Sequence, residues 1–136
     1  MNATPYLFFN GNCREAMEFY ADLLGGEITY MQTHADSPIA DETAPEQQDK
    51  ILHANLQAGD VVLMASDSPP EYYRKPQGMC FSLNLDDVDE ADRIYAELSR
   101  DGEIQMAMDE TFWAERFAMF TDRFGTPWMI NAGDKT

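Results

Sequence analysis

The chain repeats itself, and that duplication limits what it can fold into more than any other feature. Shifting the sequence by 75 positions lays Glu15, Ala16, Tyr20, Ala21 and Leu23 on Glu90, Ala91, Tyr95, Ala96 and Leu98, all identical. The same shift lays Tyr6 on Phe81, Phe8 on Leu83 and Phe19 on Ile94. With one added residue, Gly26, Glu27 and Ile28 fall on Gly102, Glu103 and Ile104. A duplicated chain builds the same supersecondary unit twice, so each copy must satisfy the same local signals.

Both copies do. Residues 5–9 and 79–85 are rich in aromatic and aliphatic side chains, and the second alternates Phe81, Leu83 and Leu85 against Ser82, Asn84 and Asp86, the period of a strand. Asn12 with Glu15, and Asp87 with Glu90, have the spacing of a capping box and predict a helix start in each copy. Cys13, Ala16, Met17, Tyr20, Leu23 and Leu24 form one apolar stripe, and Val88, Ala91, Tyr95 and Leu98 form another. Gly25-Gly26 and Asp101-Gly102 supply the stops.

A short strand follows each helix, Glu27–Thr33 and Glu103–Met108, and then a hairpin. The first hairpin joins Ile51–Gln57 to Val61–Ala65 through Ala58-Gly59-Asp60. The second joins Arg116–Thr121 to Pro127–Asn131 through Asp122–Gly125. The expected fold class is α+β, one domain over 1–136 made of two βαβββ modules: about 4–66, a proline-bearing linker at 67–77, and about 78–132. Residues 35–49, rich in Asp, Glu, Pro and Gln, read as a solvated loop.

Composition narrows the function classes. The 136 residues include 9 basic and 25 acidic ones, a net charge of −16, which repels phosphate backbones and anionic lipid surfaces alike. Neither nucleic acid nor a membrane is an expected partner. No apolar run approaches a bilayer span and no leader is visible at Met1, so a cytoplasmic location is expected. Cys13 and Cys80, the only cysteines, lack CxxC spacing and read as reduced thiols.

Two βαβββ modules with a Phe19-Tyr20-x-x-x-Leu24-Gly25 helix end resemble the vicinal oxygen chelate, or glyoxalase/bleomycin-resistance/dioxygenase, superfamily. Longer motifs resemble its PhnB-like branch: Tyr6–Cys13, Val62–Asp67, Glu110–Ala114 and above all Thr121–Asn131. The resemblance covers nearly the whole chain. It implies curved mixed sheets around a cavity, a small organic ligand and a homodimer, which would also cover the sheet edges such modules expose. It does not imply a particular reaction.

Metal-dependent members place His, Glu or Gln at four cavity-facing positions, in the first and fourth strands of each module. The resemblance puts Pro5, Leu63, Cys80 and Met129 there, and a slip of one residue supplies no imidazole or carboxylate. One thiol, a proline and two apolar side chains do not suit a hard divalent cation. The expectation is no metal and no cofactor.

The candidate residues for ligand binding are then His53, Cys80, Glu110, Trp113 and Met129. His53 lies in Ile51–Leu56, where Leu52, Ala54 and Leu56 make the apolar face and His53 shares the other with Ile51 and Asn55; it is a candidate acid or base, or a hydrogen-bonded histidine without chemistry. His34, the other imidazole, adjoins the polar loop. Glu110, beside Phe112 and Trp113, is a second candidate base if desolvation raises its pKa, with Trp113 as a stacking wall. The plain structural alternative is a loop pinned by Phe112 and Trp113, with Glu110 paired to Arg116 or Arg123. Cys80 is a reactive atom type or a small core thiol. Met129 belongs with Met64, Met79, Met106, Met108 and Met119 to a set that fills a core or lines an adaptable cavity.

Three functions from different classes follow. They are a metal-independent small-molecule-binding protein, a metal-free enzyme using His53 or Glu110, and a metal-dependent glyoxalase-type lyase or fosfomycin-type thiol transferase. The four positions argue against the third.

Overall fold

The computed structural model describes residues 1–136. The first module runs β1 (Tyr6–Phe9), α1 (Cys13–Leu24), β2 (Glu27–Thr33), β3 (Ile51–Ala58) and β4 (Val61–Asp67). The second runs β5 (Phe81–Leu85), α2 (Val88–Leu98), β6 (Glu103–Asp109), β7 (Ala114–Thr121) and β8 (Pro127–Asp134). By internal packing the chain divides into Met1–Arg74 and Lys75–Thr136, and each unit holds one four-stranded mixed sheet, ordered β1-β4-β3-β2 and β5-β8-β7-β6. The outer pairs β1/β4 and β5/β8 are parallel, and the remaining pairs are antiparallel. This is the α+β, two-module architecture that the repeat implies.

Each helix covers one face of its own sheet. In α1 the stripe Cys13, Ala16, Met17, Tyr20 and Leu23 is buried, and Ala21 joins it; the helix packs on β2, β3 and β4, against Leu7, Phe9, Ala54, Leu56, Leu63 and Ala65. In α2 the buried residues are Ala91, Ile94 and Leu98, over Leu83, Ala118, Phe120, Trp128 and Ile130 of the sheet core; of the expected stripe, Val88 and Tyr95 are only half-buried and Ile94 is buried instead. Period-two alternation leaves each sheet a second face that its own helix does not cover. Gly25 adopts φ +68° and ends α1, while the Gly26 N–H donates to Ala21 O at 2.8 Å, a Schellman closure.

Gly26 and Gly102 occupy the same place in the two modules, where the chain leaves the helix and passes the end of the hairpin. A Cβ at Gly26 would meet Ala58, and one at Gly102 would meet the Thr121 carbonyl. The repeat keeps glycine at both because the two backbones touch there.

The capping box expected at Asn12 does not form. Asn12 makes no side-chain cap and its Oδ1 is buried without a partner; the N–H of Cys13 donates instead to Asp67 Oδ1 at 2.9 Å, 54 residues away. The other Asp67 oxygen accepts from the Ile51 N–H at 2.9 Å. The sequence places Asp67 at the start of the linker, whereas β4 continues through it. At α2 the cap is local, with Asp87 Oδ1 accepting from Asp89 and Glu90 N–H at 2.9 and 3.2 Å. Glu90 does not complete the box, since its carboxylate pairs with Arg93 at 2.6 Å.

The loop at 35–49 carries two short 3₁₀ turns, Ala40–Glu42 and Pro45–Gln47. Gln48 Nε2 closes it by donating to Ala40 O and Thr43 O at 2.7 and 2.8 Å.

Candidate functional site

The strand register places the candidate residues. In the first sheet Tyr6 neighbours Met64, Met64 neighbours Asn55, and Asn55 neighbours Tyr30, one row across four strands on the face away from α1. In the second sheet the corresponding row is Ser82, Met129, Met119 and Met106. Tyr6 therefore corresponds to Ser82, a spacing of 76 rather than 75. The correspondences of Tyr6 with Phe81 and Phe8 with Leu83 are off by one: Tyr6 and Phe8 lie on the open face, while Leu83 is buried under the helix. One more residue separates β1 from α1 than β5 from α2, and a one-residue change of register moves every side chain to the other face.

The same correction applies to two of the four positions tied to metal binding. Leu63 is 2% exposed, beneath α1, not on the open face, and Pro5 precedes β1 in phase with the buried Leu7. In that row the open-face residues of the first and fourth strands are Tyr6, Met64, Ser82 and Met129, which supply a phenol, a hydroxyl and two thioethers, and the next row, Phe8, Ser66, Asn84 and Asn131, adds no imidazole or carboxylate. No group of three or more His, Cys, Asp or Glu side chains comes together to hold a metal ion. The donors present do not fit a hard divalent ion.

His53 sits on the open face of the first sheet, opposite Gln32. Its Nδ1 lies 3.0 Å from the Tyr6 hydroxyl, its ring stacks on Tyr6 at 5.6 Å and 28°, and Tyr30 lies 5.9 Å away. Ile51, expected on that face, is buried; a pairing irregularity between Gln32 and Thr33 interrupts the alternation there. The Asn55 Oδ1 beside this group is buried without a hydrogen-bond partner. His34 stays in the loop, its Nδ1 3.4 Å from Thr43 Oγ1.

Trp113 is half-buried at the start of β7. Its Nε1–H donates to Asn131 Oδ1 at 3.1 Å, and its ring meets Phe112 and Phe117 edge-on at 4.8 and 5.1 Å. The turn carrying it is tied at several points. Thr111 N donates to Ala114 O at 3.0 Å, and Lys135 N donates to Trp113 O at 2.9 Å. Lys135 Nζ also reaches Thr111 O at 3.0 Å. Trp113 walls a cleft of about 540 Å³, lined besides by Asn84, Leu85, Asp86, Ala114, Asn131, Ala132, Asp134 and Thr136. Sequence reasoning missed Asn84, Asp86 and Asp134 as lining residues. The available signal was the polar Asn131 interrupting an apolar strand on the face opposite Trp128, Ile130 and Ala132.

Glu110 is not a desolvated base. Its side chain is 63% exposed and pairs with Lys135, not with Arg116 or Arg123. The Lys135 ammonium, by hydrogen bond and by charge, holds its carboxyl below the ordinary carboxylate value. Arg116 pairs with Asp92 on α2 at 3.2 Å.

Cys80 is a half-buried free thiol in a separate cleft of about 560 Å³ that also includes Met79, Met119 and Lys75. Met129 lies between Ser82 and Met119 on the open face. The residues singled out in the second module are therefore distributed: Trp113 and Cys80 line different clefts, and Glu110 stands in solvent.

Comparison with known proteins agrees with this architecture. The family model for the glyoxalase/bleomycin resistance protein/dioxygenase superfamily matches residues 4–130. Protein YjdN of Escherichia coli K12 is 35% identical over 139 residues, 96% of this chain and 95% of that protein. The crystal structure of PA1353 from Pseudomonas aeruginosa is 47% identical, covers 97% of each chain and superposes with a TM-score of 0.89. The PhnB protein of Bacillus cereus, at 24% identity over 97% of this chain and 99% of its own, shares the fold with a TM-score of 0.83. A family match spanning nearly the whole length, on two βαβββ modules, makes this chain a member of the glyoxalase/bleomycin resistance protein/dioxygenase superfamily.

Proposed function

We propose that this chain is a metal-independent small-molecule-binding protein whose ligand occupies the cleft walled by Trp113. The observation that carries the reading is the indole itself, half-buried and held by Asn131 at 3.1 Å beside about 540 Å³ of space. That volume suits a drug-sized molecule, and a fixed aromatic with a few polar groups is the usual make-up of such a site. A ring already immobilised by Phe112, Phe117 and Asn131 loses little freedom on binding. Metal independence is supported by the donor set Tyr6, Met64, Ser82 and Met129.

A second reading, a metal-free enzyme, is favoured by the Tyr6–His53 contact at 3.0 Å, which fixes one imidazole nitrogen and leaves the other to move a proton. Glu110 has no part in it. Pairing with a second copy is supported by the edge strand β6, where Ile104 and Met106 are exposed. The charge of −16 favours neither nucleic acid nor anionic membranes as partners.

The test has two parts. Elemental analysis of untagged protein, repeated after incubation with Ni²⁺, Zn²⁺, Mn²⁺ and Mg²⁺ and desalting, is expected to find metal well below one ion per chain. One ion per chain overturns metal independence. A small-molecule library screened by thermal shift is expected to yield compounds that stabilise the native chain and lose that effect in Trp113→Ala. Hits that stabilise both chains equally place the ligand elsewhere.

A further inference from the structure

The charges lining the Trp113 cleft are all of one sign. Asp86 and Asp134 contribute carboxylates, and no Lys, Arg or His lines it. Asp134 is kept ionised by the backbone N–H and hydroxyl of Thr136, which donate to its Oδ1 at 2.8 and 2.7 Å. The nearest basic residue in sequence, Lys135, is not part of the lining, and its ammonium is paired with Glu110 and bonded to Thr111 O. The Trp113 indole N–H is already committed to Asn131, so the ring offers a ligand its π-system and not a donor.

We infer that the cleft selects an organic cation, a flat or alkyl body carrying one positive charge, held against the Trp113 ring and between the Asp86 and Asp134 carboxylates. An aromatic face attracts a cation through its quadrupole, and indole does so best among the side chains. The two carboxylates, within a protein of net charge −16, raise the local concentration of cations and repel anions. This inference rests on the Trp113 cleft being the binding site, and the experiment separates the two claims.

The chain has two tryptophans, hence two indole cross-peaks in a ¹H–¹⁵N correlation spectrum. Trp128, whose Nε1–H is buried against Asp122, serves as the internal reference. Three probes with the same ring are titrated: benzyltrimethylammonium, phenylacetamide and phenylacetate. Benzyltrimethylammonium is expected to move the Trp113 peak, with affinity about threefold to tenfold above phenylacetamide and phenylacetate weakest. The pair Asp86→Asn and Asp134→Asn, both at exposed carboxylates, is expected to abolish the preference while leaving the spectrum dispersed. Equal or tighter binding of phenylacetamide or phenylacetate at the Trp113 peak overturns the cation assignment and leaves the cleft standing. A preference that persists in the double variant also overturns it. If no probe moves the Trp113 peak, the cleft and the cation assignment fall together.

Discussion

Asp122 Oδ2 accepts the indole N–H of Trp128 at 2.8 Å, and both residues are buried. The other Asp122 oxygen accepts from Phe124 N–H at 2.9 Å and Thr126 N–H at 3.0 Å. One carboxylate thus closes the β7–β8 turn and anchors the largest core side chain of the second module. This explains structurally much of the Thr121–Asn131 motif that signalled the family. Charge-assisted bonds inside a protein are the strong ones, and a buried donor left unpaired is costly. Asp122→Asn, which turns an amide toward the indole N–H, is expected to lower stability by about 2 kcal/mol or more in urea unfolding. The exposed control Asp41→Asn should change it by less than about 0.5 kcal/mol. Equal effects would show that the turn does not depend on Asp122.

Asp67 does for the first module what no neighbouring residue does. It accepts from Cys13 at the start of α1 and from Ile51 at the start of β3, while Asn12 caps nothing. Asp67→Ala is expected to cost about 2–4 kcal/mol by leaving two buried amides unpaired. Asn12→Ala should cost under about 0.5 kcal/mol, well below an ordinary N-cap loss. Denaturation of both variants decides the matter, and the reverse order would restore Asn12 as the cap.

The two thiols should differ sharply in reactivity. Burial, and secondarily the charge of Asp67, push the Cys13 thiol up to about 12. Cys80 is only half-buried. Since the thiolate is the reactive form, a disulfide-exchange reagent at pH 8 should label one site per native chain and a second only after unfolding. Cys80→Ser should remove the native signal; a surviving fast site would mean that Cys13 is accessible. Because the folded thiol titrates above its unfolded value, the stability it lends is present below the ordinary thiol range and is lost as pH rises toward 12.

Glu110 is exposed and its carboxyl is held below the ordinary carboxylate value, first by the hydrogen bond from Lys135 and then by its charge. A depressed acid stabilises the fold above its unfolded value and loses that contribution as pH falls through the folded one. Solvent screening keeps the contribution small. In a carboxyl-detected NMR titration the Glu110 midpoint should lie below that of an unpaired glutamate and return to it in Lys135→Met. An unchanged midpoint in the variant would show that Lys135 is not the cause.

How much of the site was legible in sequence varied with the range of the interactions involved. Trp113 stood out because it lies in Glu110–Ala114, one of the motifs that carry the family resemblance. Its partners Asn131, Asp86 and Asp134 did not, because they converge only when β5, β7 and β8 pair. Glu110 looks like a desolvated base from its aromatic neighbours, but its side chain is exposed, and the pairing that holds its carboxyl below the ordinary value comes from Lys135, 25 residues on.

The sequence by itself determined the two βαβββ modules, most of the α1 stripe and the hairpins. These follow from periods of 3.6 and 2 and from local stops such as Gly25, signals carried by residues a few positions apart. Only the tertiary structure decided which strand residues face outward. The spacing between Tyr6 and Ser82 is 76, not the 75 that aligns the helices, and one residue of register exchanges the faces of a strand. Likewise only folding showed that Asp67 caps α1 and Asp122 holds Trp128. A side chain's hydrogen-bond partner is set by which strands lie side by side, and a linear pattern does not contain that adjacency.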